Sequence, residues 1–349
     1  MSANEHTRGQ PAATRAGGDR DAERRDGARR DGGSQVPRAQ PRSYYGLPVL
    51  NGPVWTWEIP AYFFVGGMAG GSAPLALAAS LQGNHRLARA ASAVALAGVA
   101  ASPPLLIADL GRPARFLNML RMFKLTSPMS VGAWILSAFA PAVVAGAGRE
   151  LLGVLPRVGR AAQVSGALLG PALSTYTAAL LASTSVPVWH EARHELPFVF
   201  AGSSLASAGA AATALAGPAD SGPARRMAIY GALLSLGATA TMEHRLGKLG
   251  APYHDAGAAP FARAAKTLTA AGALAMLAGS FARPAPRRRP RLRARHGAAP
   301  GVRALQGGAA GALLAGAALE RWAIFKAGQD SAADPAATIG PQRARADAA

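Results

Sequence analysis

Between Pro187 and Pro197 the chain reads VWHEARHEL, and His190, Glu191 and His194 within it have the spacing H-E-x-x-H. On a helix that spacing puts two imidazoles on one face with a carboxylate beside them, the arrangement that holds a zinc ion and its general base in metalloproteases. The prolines leave only nine residues between them, and a third ligand would have to come from His244, His254 or a carboxylate further on. An interfacial loop whose charges meet lipid headgroups or a partner fits the surroundings better. Other residues with chemistry to offer are Glu58 beside Trp57, Asp109 three positions before Arg112, Tyr176 beside Thr177, and Glu243. Asp109 and Arg112 are close enough in sequence to pair and fix their loop, or to relay a proton.

The elements that must position these residues are membrane helices. Half of the 349 residues are hydrophobic and 16% are charged. The apolar residues fall in long runs, and about 20 residues at ~1.5 Å each cross a ~30 Å hydrocarbon layer. Eight spans are expected, near 59–81, 90–108, 129–147, 161–186, 196–217, 227–242, 268–281 and 304–325. The sixth and seventh are short, and the last carries Glu320 and Arg321. The last two need helix extension past Lys266 and Arg321, with those long side chains reaching the interface. The fold class is an all-α integral membrane protein, a bundle of about eight transmembrane helices. Gly66, Gly67, Gly70 and Gly71 in the first span suit close helix packing. Pro74, Pro103, Pro104 and Pro171 should kink or end their helices.

Eight spans place the lead-in to the first span and loops two, four and six on one face. That face collects Trp55, Trp57, Glu58, Asp109, Arg112, Trp189, His190 and Glu243, and makes it the candidate working surface, because ionisable groups at membrane depth are costly and usually functional. An interfacial belt would also gather Trp and Arg there.

The ends differ in character. Residues 1–42 are Arg-rich with few large apolar side chains, the composition of a disordered tail. The membrane domain is expected over 43–326, with a polar tail over 327–349. The net charge of +19 resides in tails and loops, densest over 283–295, which suits anionic lipid rather than nucleic acid. Loop charges favour an outward-facing N-terminal side, and the Arg-rich tail pulls the opposite way. With no cysteine in the chain, thiolate-held iron-sulfur clusters and a cysteine nucleophile are excluded. No histidine falls at mid-span, where a membrane cytochrome would hold haem. No metal site is expected, so redox chemistry must come from outside the chain.

The stretches YYGLPVLNGPVWTWEIPAYFFVGGMAGGSAPLA, ADLGRPARFLNMLRMFKLTSPMSVGAWIL, STYTAALLASTSVPVWHEARHELPFVFAGS and PYHDAGAAPFARAAKTLTAAGA, in that order, resemble the NrfD, or polysulfide reductase membrane-subunit, family over about 44–281. The resemblance implies an eight-helix subunit of the inner or plasma membrane without a redox cofactor of its own. It implies that the chain binds an exchangeable quinone or quinol and pairs with a ferredoxin-like iron-sulfur subunit and a molybdopterin oxidoreductase subunit. Trp57-Glu58 resembles the family's quinone-facing segment, with Glu58 near a position where relatives carry His. Tyr176-Thr177 resembles its Tyr-Thr motif, and Asp109, Gly111, Arg112, Pro113 and Phe116 its D-L-G-R-P-x-R-F loop. Glu58 would then take phenolic protons, with Asp109 in relay, and Tyr176 would donate to a quinone carbonyl. Trp57, Thr177, Arg112 and His190 would complete the quinone site. Helix rise puts Tyr176 ~15 Å from the loop at Pro187, so it meets Glu58 only if helices tilt or the headgroup enters deeply. A passive anchor for an iron-sulfur partner and a secondary transporter are the alternatives; glycines and broken helices suggest the latter, although no internal repeat supports it.

Overall fold

The computed structural model describes residues 50–112, 114–255, 257–281 and 300–339. The tail 1–42, the basic stretch 283–295 and residues 340–349 lie outside the described residues. Among the described residues there is no strand. The helices are α1 (Glu58–Leu81), α2 (His85–Asp109), the short α3 (Ala114–Met119), α4 (Pro128–Ala147), α5 (Pro156–Ala182), the short α6 (Pro187–Glu191), α7 (Leu196–Ala216), α8 (Gly222–Leu246), α9 (Ala259–Phe281) and α10 (Pro300–Ala333). A π turn, Gly148–Leu152, follows α4, and a 3-10 segment, Gly247–Tyr253, follows α8.

The eight long helices run from 20 to 34 residues, enough to cross a bilayer by helix rise. Seven are also apolar enough to do so. The exception is α8, with Arg225 and Arg226 at one end, Glu243, His244 and Arg245 at the other, and Ser235 and Thr239 between. Those two hydroxyls turn inward to a carboxylate of α10, so its low apolarity reflects a protein-facing side. The seventh and eighth spans extend as they needed to, since α9 begins before Lys266 and α10 runs beyond Arg321.

Local signals set the helix starts. Asn84 caps α2 by accepting from the Leu87 N–H, and Ser127 caps α4 by accepting from Ser130. Proline stands in the first turn of α4, α5, α6, α7 and α8, where its missing N–H costs no helical bond. The interior prolines do not end their helices. Pro74, Pro103, Pro104 and Pro171 all lie inside unbroken helices. At the crossing of α1 and α5 the reason is packing. A Cβ on Gly70 would lie 2.5 Å from the Gly170 carbonyl oxygen, so only a glycine lets these backbones meet. Ser174 Oγ then donates across the contact to the Gly67 carbonyl at 3.2 Å. Dense contact offsets the hydrogen bonds that the prolines remove.

Helix α1 is central, packing on α2, α5, α7 and α10. The main core gathers Tyr62, Phe63, Phe139, Leu173, Phe200, Trp189 and Phe325. The last helix continues past 327, where a polar tail was expected, with Ala327, Ser331 and Ala332 buried. Small residues there fit under Trp189 and its neighbours, which a polar composition alone does not reveal.

Candidate functional site

Thr56, in the lead-in to α1, joins two carboxylates. Its hydroxyl donates to Glu58, and its backbone N–H donates to Asp109 Oδ1 at 3.4 Å. Glu58 opens α1 and Asp109 closes α2, so the antiparallel pairing of these helices brings together two acids that are distant in sequence. Arg112 lies just beyond on the exposed turn before α3, and Trp57 is 57% exposed at the head of α1.

One turn further along α1, Tyr62 occupies the face below Glu58, since positions four apart stack on a helix. The Tyr62 and Tyr176 hydroxyls share a hydrogen bond between α1 and α5. Tyr62 is buried and Tyr176 partly so. The Tyr176 ring packs against α4 at Gly132, where an added Cβ would overlap its ring carbons. Thr177, next along α5, is buried. Tyr62, one turn from Glu58 on α1 and hydrogen-bonded to Tyr176, therefore lies between the two in sequence depth. Sequence reasoning passed over it. Its signal was the i, i+4 relation to Glu58, hidden inside the apolar run AYFF.

The remaining motif residues sit on the same end of the bundle. Trp189 of α6 is fully buried, stacks between Trp55 and Phe325 with centroids 5.9 and 6.3 Å away, and donates from Nε1 to the Ile324 carbonyl at 2.8 Å. Gln329 of α10 donates to the Trp55 carbonyl at 3.4 Å. The lead-in, loop four and the last helix are thus tied into one wall. His190 is exposed, with Nδ1 bonded to the Ala182 carbonyl at 3.0 Å. Helix α6 stops at Glu191, so His190 and His194 do not share a helix face as a zinc motif would require. Among the described residues no group of three or more His, Asp and Glu is placed to hold a metal ion. The same loop is instead braced by Arg245, which donates to the Glu191 carbonyl and, at 2.5 and 2.6 Å, to both oxygens of Glu195. Those hydrogen bonds hold the Glu195 carboxyl below its ordinary range.

Arg321 departs from the expectation most clearly. It does not reach the interface: it is 2% exposed, its guanidinium lies 3.6 Å over the Phe200 ring, and it donates to the Phe200 carbonyl at 2.8 Å and to Ser204 at 3.2 Å. The ring face and carbonyl of α7 supply locally what an interface would have offered.

Apolar crossing helices around a phenol pair, with two linked carboxylates at the rim, define a multi-pass all-α membrane protein with a polar centre inside its first helices. Residues 48–220 match the family model described as polysulphide reductase, NrfD, and over that stretch the chain belongs to the NrfD family. The family consists of membrane subunits of quinone-linked oxidoreductase complexes. The match takes in Glu58, Tyr62, Asp109, Arg112, Tyr176, Thr177 and His190, and stops before α8, short of the PYHDAG segment that also resembled the family. No curated protein matches the chain.

Proposed function

We propose that this chain is the quinone- or quinol-binding subunit that anchors a respiratory oxidoreductase in the inner or plasma membrane, passing electrons between the quinone pool and a ferredoxin-like iron-sulfur subunit, with a molybdopterin subunit completing the complex. The observation that carries the reading is the Tyr62–Tyr176 pair, inside the family match and one helical turn from the Glu58–Thr56–Asp109 cluster.

Two phenols hold two O–H donors, and their mutual bond uses one. The other is left to donate to a carbonyl or phenolate oxygen, which fits a quinone headgroup. When bound, a quinol supplies two electrons and two protons. Tyr62 and Tyr176 hold and orient the ring oxygen. Glu58, with Asp109 linked through Thr56, accepts protons and hands them to the exposed rim. Thr177 backs the slot from α5. Trp57, Arg112 and His190, all exposed, belong to the mouth and the partner-facing rim in this reading.

The assembled complex tests this. Glu58→Gln should lower quinol-linked turnover by ~10²-fold with binding of a quinone analogue retained, the range for a lost proton acceptor. Tyr176→Phe should instead weaken analogue binding by about tenfold, one neutral hydrogen bond. Full turnover in both variants would remove these residues from the chemistry. A purified complex that binds no quinone analogue would make the chain a passive anchor.

A further inference from the structure

The end of the bundle away from the working face is built around Glu150. There the last turn of α1, the opening turns of α2 and α5, and the π turn after α4 meet. Glu150 Oε1 accepts from Ser80 Oγ at 2.6 Å and from Gln163 Nε2 at 3.0 Å, and Arg149 Nη1 binds the same oxygen. Arg89 of α2 donates from Nε to the Glu150 backbone carbonyl at 3.2 Å. Gly159 makes room for the Arg149 side chain, which an added Cβ there would overlap. This lock sets Arg89 and Arg149 beside the opening turns of α5, which carry Arg157 and Arg160.

Charge does not balance in this cluster. Glu150 is its one carboxylate among the described residues, and that side chain is 6% exposed. Asp220, further round the same end, is taken by Arg86 at 3.3 Å. Among the described residues no carboxylate pairs with Arg89, Arg157 or Arg160. Arg149 Nε and Arg160 Nη1 are shut off from water without a hydrogen-bond partner. A guanidinium carries several N–H donors, and buried donors are as a rule paired. The cluster thus holds more donors than the chain supplies acceptors for.

The same stretch exposes large apolar side chains. Leu152 is 76% exposed, and Leu155 and Val158 are 59% exposed each. Arginines therefore alternate with bare Leu and Val over 149–160, at the level where the crossing helices end. Phosphate and acyl chain adjoin at that level of a bilayer. The planar guanidinium fork matches phosphate oxygens, and the apolar side chains match acyl chains. A free phosphate or an acidic peptide would satisfy the arginines and leave the leucines in water.

We propose that the π turn and the opening turns of α5 form a site for an anionic phospholipid, with Arg149, Arg157 and Arg160 on its headgroup phosphate and Leu152, Leu155 and Val158 along its acyl chains. The site lies ~24 Å along α5 from Tyr176 by helix rise. It shares no residue with the quinone reading and stands or falls separately.

Native mass spectrometry of the full chain, released from nonionic detergent, tests it with phosphatidylglycerol and phosphatidylcholine of identical acyl chains as probes. Wild type should bind phosphatidylglycerol at least about tenfold more tightly, the scale of two cations near an anionic lipid. Arg157→Gln and Arg160→Gln leave the Glu150 lock intact, and each should weaken that binding about fivefold. Arg121→Gln, exposed in the loop after α3 at the opposite end of the bundle, should leave it unchanged. The double variant Leu152→Ser, Leu155→Ser should also weaken it, and millimolar inorganic phosphate should not displace the lipid. Four results would overturn the proposal: equal binding of the two lipids, a preference untouched by both arginine variants, an equal loss in Arg121→Gln, or displacement by inorganic phosphate or polyglutamate, which marks a free-phosphate or acidic-protein site.

Discussion

The phenol pair Tyr62–Tyr176 and the charged neighbours Glu320 and Arg321 both lie on helices that cross the bundle, yet they meet the cost of burial by different means. The phenols are neutral, satisfy each other, and are held by close backbone packing, with Gly132 making room for the Tyr176 ring. Glu320 and Arg321 are ionisable and are served by several neighbours: hydroxyls of α8 for the acid, and the Phe200 ring and carbonyl with the Ser204 hydroxyl of α7 for the base. Neutral groups can be sealed by shape alone, whereas charged ones need dispersed polar partners or a path to water.

Removing charge should therefore have its largest effect on stability. Arg321→Met strips the cation from the Phe200 ring and carbonyl and leaves Glu320 without its neighbouring positive charge. A loss of about 3 kcal/mol is expected, as for one-sided disruption of a buried pair, read as a lowered unfolding midpoint in detergent. Quinone-analogue binding at any temperature where the protein stays folded should be unchanged. A midpoint equal to wild type would mean that Arg321 is not held as its contacts indicate.

Shape should dominate at the other centre. Gly132→Ala puts a methyl where the Tyr176 ring lies, so the ring must swing away from Tyr62. Quinol-linked turnover of the assembled complex should fall ~10²-fold, the scale of a 1 Å misplacement at a reacting centre. Tyr62→Phe keeps the shape and removes the shared hydrogen bond, so a smaller loss of about tenfold is expected. If the two variants were equally impaired, the bond rather than the ring position would be the controlling feature. If neither changed turnover, the pair would be a packing element only.

The contrast also explains what could be read from the sequence. Long apolar runs gave the spans, because bilayer thickness fixes helix length whatever the neighbours do. Glu58, Asp109 and Tyr176 stood out as ionisable or phenolic groups in motif-like surroundings. Their grouping depended on Thr56 and Tyr62, whose roles come from antiparallel pairing and from a four-residue stagger that composition does not display. Arg321 was misplaced because an arginine near a helix end ordinarily reaches for the interface. Only the position of Phe200, more than a hundred residues away, keeps it inside. The interior prolines of α1, α2 and α5 are expected to kink or end their helices because their effect is local in sequence, whereas the contacts that carry the helices through are not.

The smallest expected effect lies at the rim, where neither sealed shape nor dispersed charge is needed. Arg245 grips Glu195 at 2.5 Å, with the Arg245 side chain 39% exposed. The Glu195 carboxyl is held below its ordinary range chiefly by hydrogen bonds from Arg245. A depressed folded value means that the stabilisation is complete above the unfolded carboxylate range and is lost as pH falls through the lower folded value. Solvent screening limits it to about 0.5 kcal/mol. Glu195→Gln should therefore lower the unfolding midpoint slightly at neutral pH, and the difference from wild type should vanish in acid. High salt should shrink it too. A deficit that persisted at low pH would place the role of Glu195 in the shape of loop four rather than in its charge, and would bring this rim closer in kind to the packed phenol centre than to the charged one.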